Sequence, residues 1–227
     1  MVIKRPQGFF MIDWRAPLAA PIEREIREAI RDLPGWPNIQ REKQLAQLVL
    51  DTKAQVIVEI GVWGGRSLIP QALALQYNAT VAKTRLGHIY GIDPYDACEV
   101  KKNAVQGDDW FPGQNTMDEA YGNLLATLKL YELEEYASLI KEKSETVLNK
   151  LVNNFTLENI DILNIDGGHT EEASTRDVQI WVPRVKPGGY VWFDDSHWPS
   201  VQKALKALGN TCTLESDQGL YRLYRKK

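Results

Sequence analysis

The sequence predicts a doubly wound α/β fold whose mostly parallel sheet ends in an antiparallel hairpin. Three observations carry this. Five short apolar runs recur from residue 55 onward, and they are continuous rather than alternating, as strands covered on both faces are. Amphipathic stretches separate most of them, the strand and helix alternation that builds a parallel sheet. The last two apolar runs, "TCTLES" and "GLYRLYR", lie only a few residues apart around Asp217-Gln218-Gly219, a link that suits a hairpin and is too short for a crossover. Seven strands result.

The first forty residues are rich in proline. Pro21 stands where a first helical turn tolerates a missing N–H, Ile22, Ile26 and Ile30 follow at spacing four, and Pro34-Gly35 stops the run. A second helix is expected from Asn38, a good cap, with Leu45, Leu48 and Val49 on one face. Residues 1–54 therefore read as a helical appendage, a lid or an oligomer surface, and 55–227 as the main domain. Two amphipathic helices that need burial point toward a homo-oligomer.

The strands follow as "QVIVEI" (55–60), "HIYGID" (88–93), "ASLIKE" (137–142), "IDILNID" (160–166) and "YVWFDD" (190–195). Between Asp93 and a helix near Met117 runs a stretch too long and polar for a plain connector. Connectors of that length are functional or disordered. Tyr95, Trp110 and Phe111 make a substrate-covering segment one of the two readings.

The chain of 227 residues, 44% hydrophobic and 25% charged, is of ordinary globular composition. A net charge of −3 gives no basic surface for a phosphate backbone, so nucleic acid is not an expected partner. Cys98 and Cys212 make neither a disulfide framework nor a four-ligand zinc site; both read as buried small apolar residues in a reducing cytosol. No apolar run approaches the ~20 residues of a spanning helix. A soluble, cytoplasmic protein is expected.

The stretch "VIVEIGVWGGRS" (56–67) runs from a strand into Gly61, Gly64 and Gly65, where backbone amides can approach a ligand closely, with Ser67 placed to cap the next helix. A dinucleotide loop would read G-x-G-x-x-G. Here Glu59 stands at the first position, and a carboxylate there repels a pyrophosphate and suits a cationic ligand. Glu59-x-Gly61-x-x-Gly64-Gly65 resembles the first motif of class I S-adenosylmethionine-dependent methyltransferases, over roughly residues 55–227, and the resemblance implies a Rossmann-like sheet. It implies that the loop wraps the amino acid part of the cofactor and that Asp93, ending the second strand, takes the ribose hydroxyls. Ser144 and Glu145 in "KEKSE" would lie beside the adenine. The family's closing antiparallel hairpin matches the last two runs.

"NIDGGHT" (164–170) ends the fourth strand and "WFDDSHW" (192–198) the fifth, so Asp166, Asp194 and Asp195 are expected to converge at one sheet edge beside the cofactor. Three packed carboxylates repel unless a positive charge sits among them. Hard oxygen donors select Mg²⁺, Ca²⁺ or Mn²⁺ over zinc, and Mg²⁺ is the ion expected. The alternative is capping: Asp166 over the Gly167-Gly168 turn and Asp195 before the helix after Pro199.

The segment from Asp166 to Asp195 resembles metal-dependent O-methyltransferases of the macrolide-sugar and natural-product type. The resemblance implies that Asp166, Asp194 and Asp195 ligate the metal, with Asp166 also serving the cofactor and the catalysis, and that His169 deprotonates a hydroxyl of a small-molecule acceptor. Catechol-type enzymes carry Asp-Asn where this chain has Asp194-Asp195. An alcohol is a poor nucleophile, so a metal that lowers its pKa and a base that takes its proton address the real difficulty. His197 is the rival base and His88 a structural residue; Trp63, Trp192 and Trp198 are placed to wall a pocket. Two other functions stay open. One is an oxygenase related to the cephalosporin hydroxylases, with His169 recast as an iron ligand. The other is a non-catalytic subunit that binds the cofactor without turnover.

Overall fold

The apolar runs become strands because each has a helical layer to bury against on either side. The computed structural model describes residues 18–105, 113–151 and 157–227. Its strands are β1 (Val56–Ile60), β2 (His88–Asp93), β3 (Ala137–Lys141), β4 (Ile160–Ile165), β5 (Val185–Phe193), β6 (Cys212–Asp217) and β7 (Arg222–Lys226). They form one seven-stranded sheet in the order β3-β2-β1-β4-β5-β7-β6. β1 to β5 pair in parallel, and β7 joins β5 and β6 in antiparallel register. Strand order reverses between β1 and β4, which is where ligands bind in open sheets of this kind.

Parity along β1 and β4 sorts side chains between two cores. Ile57 and Ile162 enter the core shared with α1 (Ala20–Ala29), α2 (Ile39–Thr52), α3 (Leu68–Thr80) and Leu124 and Leu128 of α5 (Gln114–Leu130). Val58, Ile60, Leu163 and Ile165 enter the opposite core, with α7 (Glu171–Trp181) and α8 (Gln202–Thr211). At roughly 25 cal/mol per Å² of apolar surface, this two-sided burial is the main stabilising term of the sheet.

The N-terminal helices are part of that first core. Ile22, Ile26, Leu45, Leu48 and Val49 are buried against α3 and the sheet, so their apolar faces are covered within the chain and the argument from unmet burial toward an oligomer loses its ground. Asn38 caps α2, its Oδ1 accepting from the Arg41 amide at 3.1 Å. The buried Tyr221 hydroxyl donates to Gln44 Oε1 at 2.8 Å and stacks on Trp192, tying α2 to the terminal hairpin.

Several expectations need correction. β5 starts at Val185, five residues before the expected run, because Gly189 lets it pass the Ile160 and Asp161 carbonyls, where a Cβ would stand 3.0 Å away. The long segment after β2 contains α4 (Ala97–Lys102), capped by Asp96, whose Oδ1 accepts from the amides of Cys98 and Glu99. Tyr95 is buried and donates its hydroxyl to the Trp63 carbonyl, so it belongs to the packing under the loop. Trp110 and Phe111 lie outside the described residues. Cys212 is buried as expected, but Cys98 is exposed on α4. No helix among the described residues is long and apolar enough to cross a membrane.

Candidate active site

Backbone geometry at the end of β1 builds one end of the site. Gly61 has φ +82°, and a Cβ there would lie 1.9 Å from the Asp166 carbonyl, so the β1 and β4 loops touch only because this residue has no side chain. Gly65 also has positive φ and backs onto Leu124. Asp93 Oδ2 accepts from the amides of Val62 and Trp63, both at 3.0 Å, and Oδ1 accepts from Tyr95 N at 2.7 Å. Burial pushes its pKa up, against the pull of those three amides.

Glu59 is not at this surface. β1 parity turns it toward α3, where it is fully buried and accepts from Ser67 Oγ (2.8 Å), Gln71 Nε2 (2.7 Å) and Asn164 Nδ2 (3.0 Å). Burial raises its pKa to about 7. Ser67 therefore does not cap α3; its hydroxyl anchors the loop to Glu59, and the expected direct contact of Glu59 with a cationic ligand becomes a supporting role beneath the loop.

A cavity of about 300 Å³ opens over the sheet edge. Gly61, Ser67, Asp93, Ser144 and Glu145 line it together with Asp166, His169 and Asp195; Glu59, Gly65 and Asp194 are not in the lining. Trp63 joins the lining, while Trp192 belongs to the core and Trp198 stacks on the His169 ring at 5.6 Å between centroids. Ser144, at the start of α6 (Ser144–Leu151), donates to Asp177 Oδ1, and Glu145 pairs with Arg176 at 3.5 Å. Burial raises the Asp177 pKa to about 6. Sequence reasoning passed over Asp177 and Arg176 because α7 positions carry no motif.

At the other end, sheet-like hydrogen bonds continue past the strands: Asp166 N donates to Ile60 O at 2.8 Å and Asp194 N to Ile165 O at 2.9 Å. His169 Nε2 lies 2.9 Å from Asp195 Oδ2, and its amide donates to Asn103 O. His197 sits 4.0 Å from Asp195 Oδ1, more exposed and outside the cavity lining. His88 bonds Glu135 O and Ser138 Oγ at the opposite end of β2. α7 is capped by Thr170, and Trp198 precedes the short 3-10 turn at 199–201 without a side-chain cap, so the capping roles considered for Asp166 and Asp195 are taken by other residues or left out.

The three aspartates, expected to converge, do not gather their side chains in one place. Asp194 keeps the parity of Tyr190 and Trp192 and turns toward α2, where its Oδ2 meets Arg41 Nη1 in a close ion pair. The same guanidinium nitrogen is 3.6 Å from Asp166 Oδ2. The donor atoms that gather within 4.8 Å of one another are instead those of Asp166, His169 and Asp195. Burial and the neighbouring Asp194 hold the Asp166 pKa well up, and burial raises Asp194. At Asp195 burial is outweighed by the hydrogen bond and charge of His169, and the pKa falls. Arg41 stays charged, since Asp194 and Asp166 outweigh its desolvation. The Asp166 and Asp195 carboxylates offer the hard oxygen donors that a divalent cation of the Mg²⁺ or Mn²⁺ type takes, so the residues present fit one.

A family profile described as a methyltransferase domain matches residues 58–196. No curated protein matches the chain by sequence. Among solved structures, the O-methyltransferase from Bacillus cereus in complex with SAH superposes with a TM-score of 0.58 at 16% identity, covering 92% of each chain. CalS11, a calicheamicin methyltransferase, gives 0.58 at 19% identity over 96% of this chain and 98% of its own. TomG from Streptomyces achromogenes, an O-methyltransferase of tomaymycin synthesis in complex with SAM, gives 0.56 at 17% over 92% and 89%. These likenesses establish the class I methyltransferase fold. The profile reaches from the middle of β1, across the glycine loop, to just past the acid pair, well over half of the chain, and the protein belongs to the methyltransferase-domain family.

Proposed function

We propose that the protein is an S-adenosylmethionine-dependent O-methyltransferase that acts on a hydroxyl of a small molecule and uses a divalent cation, Mg²⁺ by preference. The observation that carries this reading is one cavity lined both by amide-bound Asp93 and the glycine loop and by the Asp166, His169 and Asp195 group. CalS11, a TDP-rhamnose 3'-O-methyltransferase of calicheamicin biosynthesis, and TomG, of tomaymycin synthesis, support a sugar or natural-product acceptor.

The cofactor supplies an activated sulfonium methyl, and a cation held by Asp166 and Asp195 supplies positive charge for the acceptor oxygen. The chain's own residues do the rest. Gly61 keeps the loop close enough for backbone contacts, and Asp93, whose two oxygens already accept three amides, retains a lone pair for a ribose hydroxyl. Ser144 and Glu145 are the residues expected beside the adenine, and Asp177 adds to the same polar wall. His169 is the base. Asp195, 2.9 Å from the His169 Nε2, stabilises the imidazolium that forms. His169 would take the proton of the acceptor hydroxyl, and bound S-adenosylmethionine would supply the methyl group. A base in this position contributes ~10²- to 10⁴-fold.

Calorimetric titration with S-adenosylmethionine, with and without Mg²⁺, followed by transfer of labelled methyl to a panel of sugars and phenols, tests the reading. Binding, and turnover that falls ~10²- to 10⁴-fold in His169→Ala at unchanged cofactor affinity, is expected. No binding heat in either condition refutes it. A second reading has one observation in its favour: His169 lies inside the donor group, as an iron ligand of a hydroxylase would. Tight iron binding with oxygen consumption would select it.

A further inference from the structure

Arg41 reaches the acidic end from the first turn of α2, a part of the chain that the matched profile does not include. Its backbone is fixed by the Asn38 cap and its side chain by carboxylates more than a hundred residues away. Both Arg41 and Asp194 are nearly closed to solvent, with side-chain exposures of 15% and 5%. Asp194 has both oxygens engaged, Oδ2 by Arg41 and Oδ1 by the Asp195 amide at 3.0 Å. Ionised, the three aspartates bring three negative charges, and the guanidinium removes one of them at the residue that faces away from the donor group.

We propose that Arg41 is the built-in counter-ion of the acidic end: it holds Asp194 out of the donor group and sets how tightly Asp166 and Asp195 retain a divalent cation. This rests on the metal dependence proposed above. The guanidinium lies 3.6 Å from Asp166, so its positive charge opposes that of a cation held by the same carboxylate. A planar, permanently charged fork suits this task better than a mobile ammonium, because it neutralises without itself titrating. The N-terminal helices thereby act on the reaction centre through one fixed charge.

The test is a double-mutant cycle on the full chain, read as Mn²⁺ affinity from the loss of the free-ion EPR signal. Arg41→Gln is expected to bind Mn²⁺ at least about tenfold more tightly than wild type, and Arg41→Lys, which keeps the charge, to stay within about threefold of it. Asp194→Asn is expected to bind at least about tenfold more weakly, because the unspent guanidinium charge then faces Asp166. The double variant Arg41→Gln, Asp194→Asn is expected to return to wild-type affinity. A double variant as weak as Asp194→Asn makes Asp194 a direct ligand and overturns the proposal. So does an Arg41→Gln that is folded and binds no more tightly than wild type, or a complete lack of Mn²⁺ binding in both. If Arg41→Gln does not fold, Asp194→Asn against the double variant decides, since the double variant leaves no buried unpaired charge. S-adenosylhomocysteine binding is titrated on the same samples: its absence removes the methyltransferase reading, whereas the Mn²⁺ cycle reports on Arg41 alone.

Discussion

The two ends of the cavity handle buried negative charge in opposite ways. At the glycine-loop end, Asp93 is satisfied by three backbone amides from Val62, Trp63 and Tyr95, all within about one supersecondary unit of it. At the acidic end, Asp194 and Asp166 depend on one guanidinium delivered by α2, 153 residues before Asp194. Amides belong to the backbone and survive every substitution except proline, so the first arrangement follows from loop shape. The second needs a particular side chain in a particular helix, and fails with it. The difference separates a binding end that is robust by construction from a chemical end whose charge balance is a long-range agreement between distant segments.

The strongest way to break the first end is through shape. Gly61→Ala places a methyl at 1.9 Å from the Asp166 carbonyl in a left-handed backbone conformation. Cofactor binding is expected to disappear from calorimetry, with a stability loss above ~3 kcal/mol in urea titration. The second end breaks through charge. Arg41→Gln is expected to lose about 3–5 kcal/mol in the same titration, the cost of leaving a buried carboxylate unpaired, and most of that loss should return in the double variant with Asp194→Asn. A single-variant loss below about 1 kcal/mol would show that Asp194 does not need its partner.

Asp177 sharpens the comparison, because it is a buried acid of the wall that accepts from the Ser144 hydroxyl. Its pKa is raised to about 6 from an ordinary 3.8, so the folded chain binds the proton more tightly than the unfolded one. Stability from this group is then full below about pH 4 and declines as pH rises to about 6, by up to about 3 kcal/mol. Asp177→Asn is expected to flatten that part of the stability curve and to melt higher than wild type at pH 7. An unchanged pH profile would mean that the carboxylate is satisfied elsewhere. The smallest expected effect is at Asn38, whose cap sets the backbone of Arg41. Asn38→Ala should cost about 1 kcal/mol in stability, with Mn²⁺ affinity moved less than by any substitution at Arg41 itself.

Strand positions, the terminal hairpin and the convergence of the β1, β2, β4 and β5 ends were legible in the residues, because apolar continuity and glycine punctuation are local signals. β2 begins and ends at the expected residues, His88 and Asp93. Side-chain direction at the strand ends was harder to read. Glu59 shares the parity of Ile57 and so faces α3, and Asp194 shares that of Trp192 and so faces α2. Reading period two through the last strand residue separates Asp194 from Asp195 once it is known which helices cover which face. Arg41 offered no such signal, since an arginine in the first turn of an amphipathic helix is ordinarily solvated. The helix inside 94–116 was hidden by its polar composition, although Asp96 is a good cap.

From the residues alone came the layered α/β order, the glycine turn that brings backbone to a ligand, and the set of acids and histidine that converge where the sheet reverses. Packing alone decided which acid faces the cavity, which is neutralised by α2, and that the N-terminal helices belong to the same core. The physical reason is range. Periodicity, caps and turns act over a few residues, whereas a buried charge is satisfied by whatever group the fold brings within about 4 Å, and that distance has no image in sequence separation.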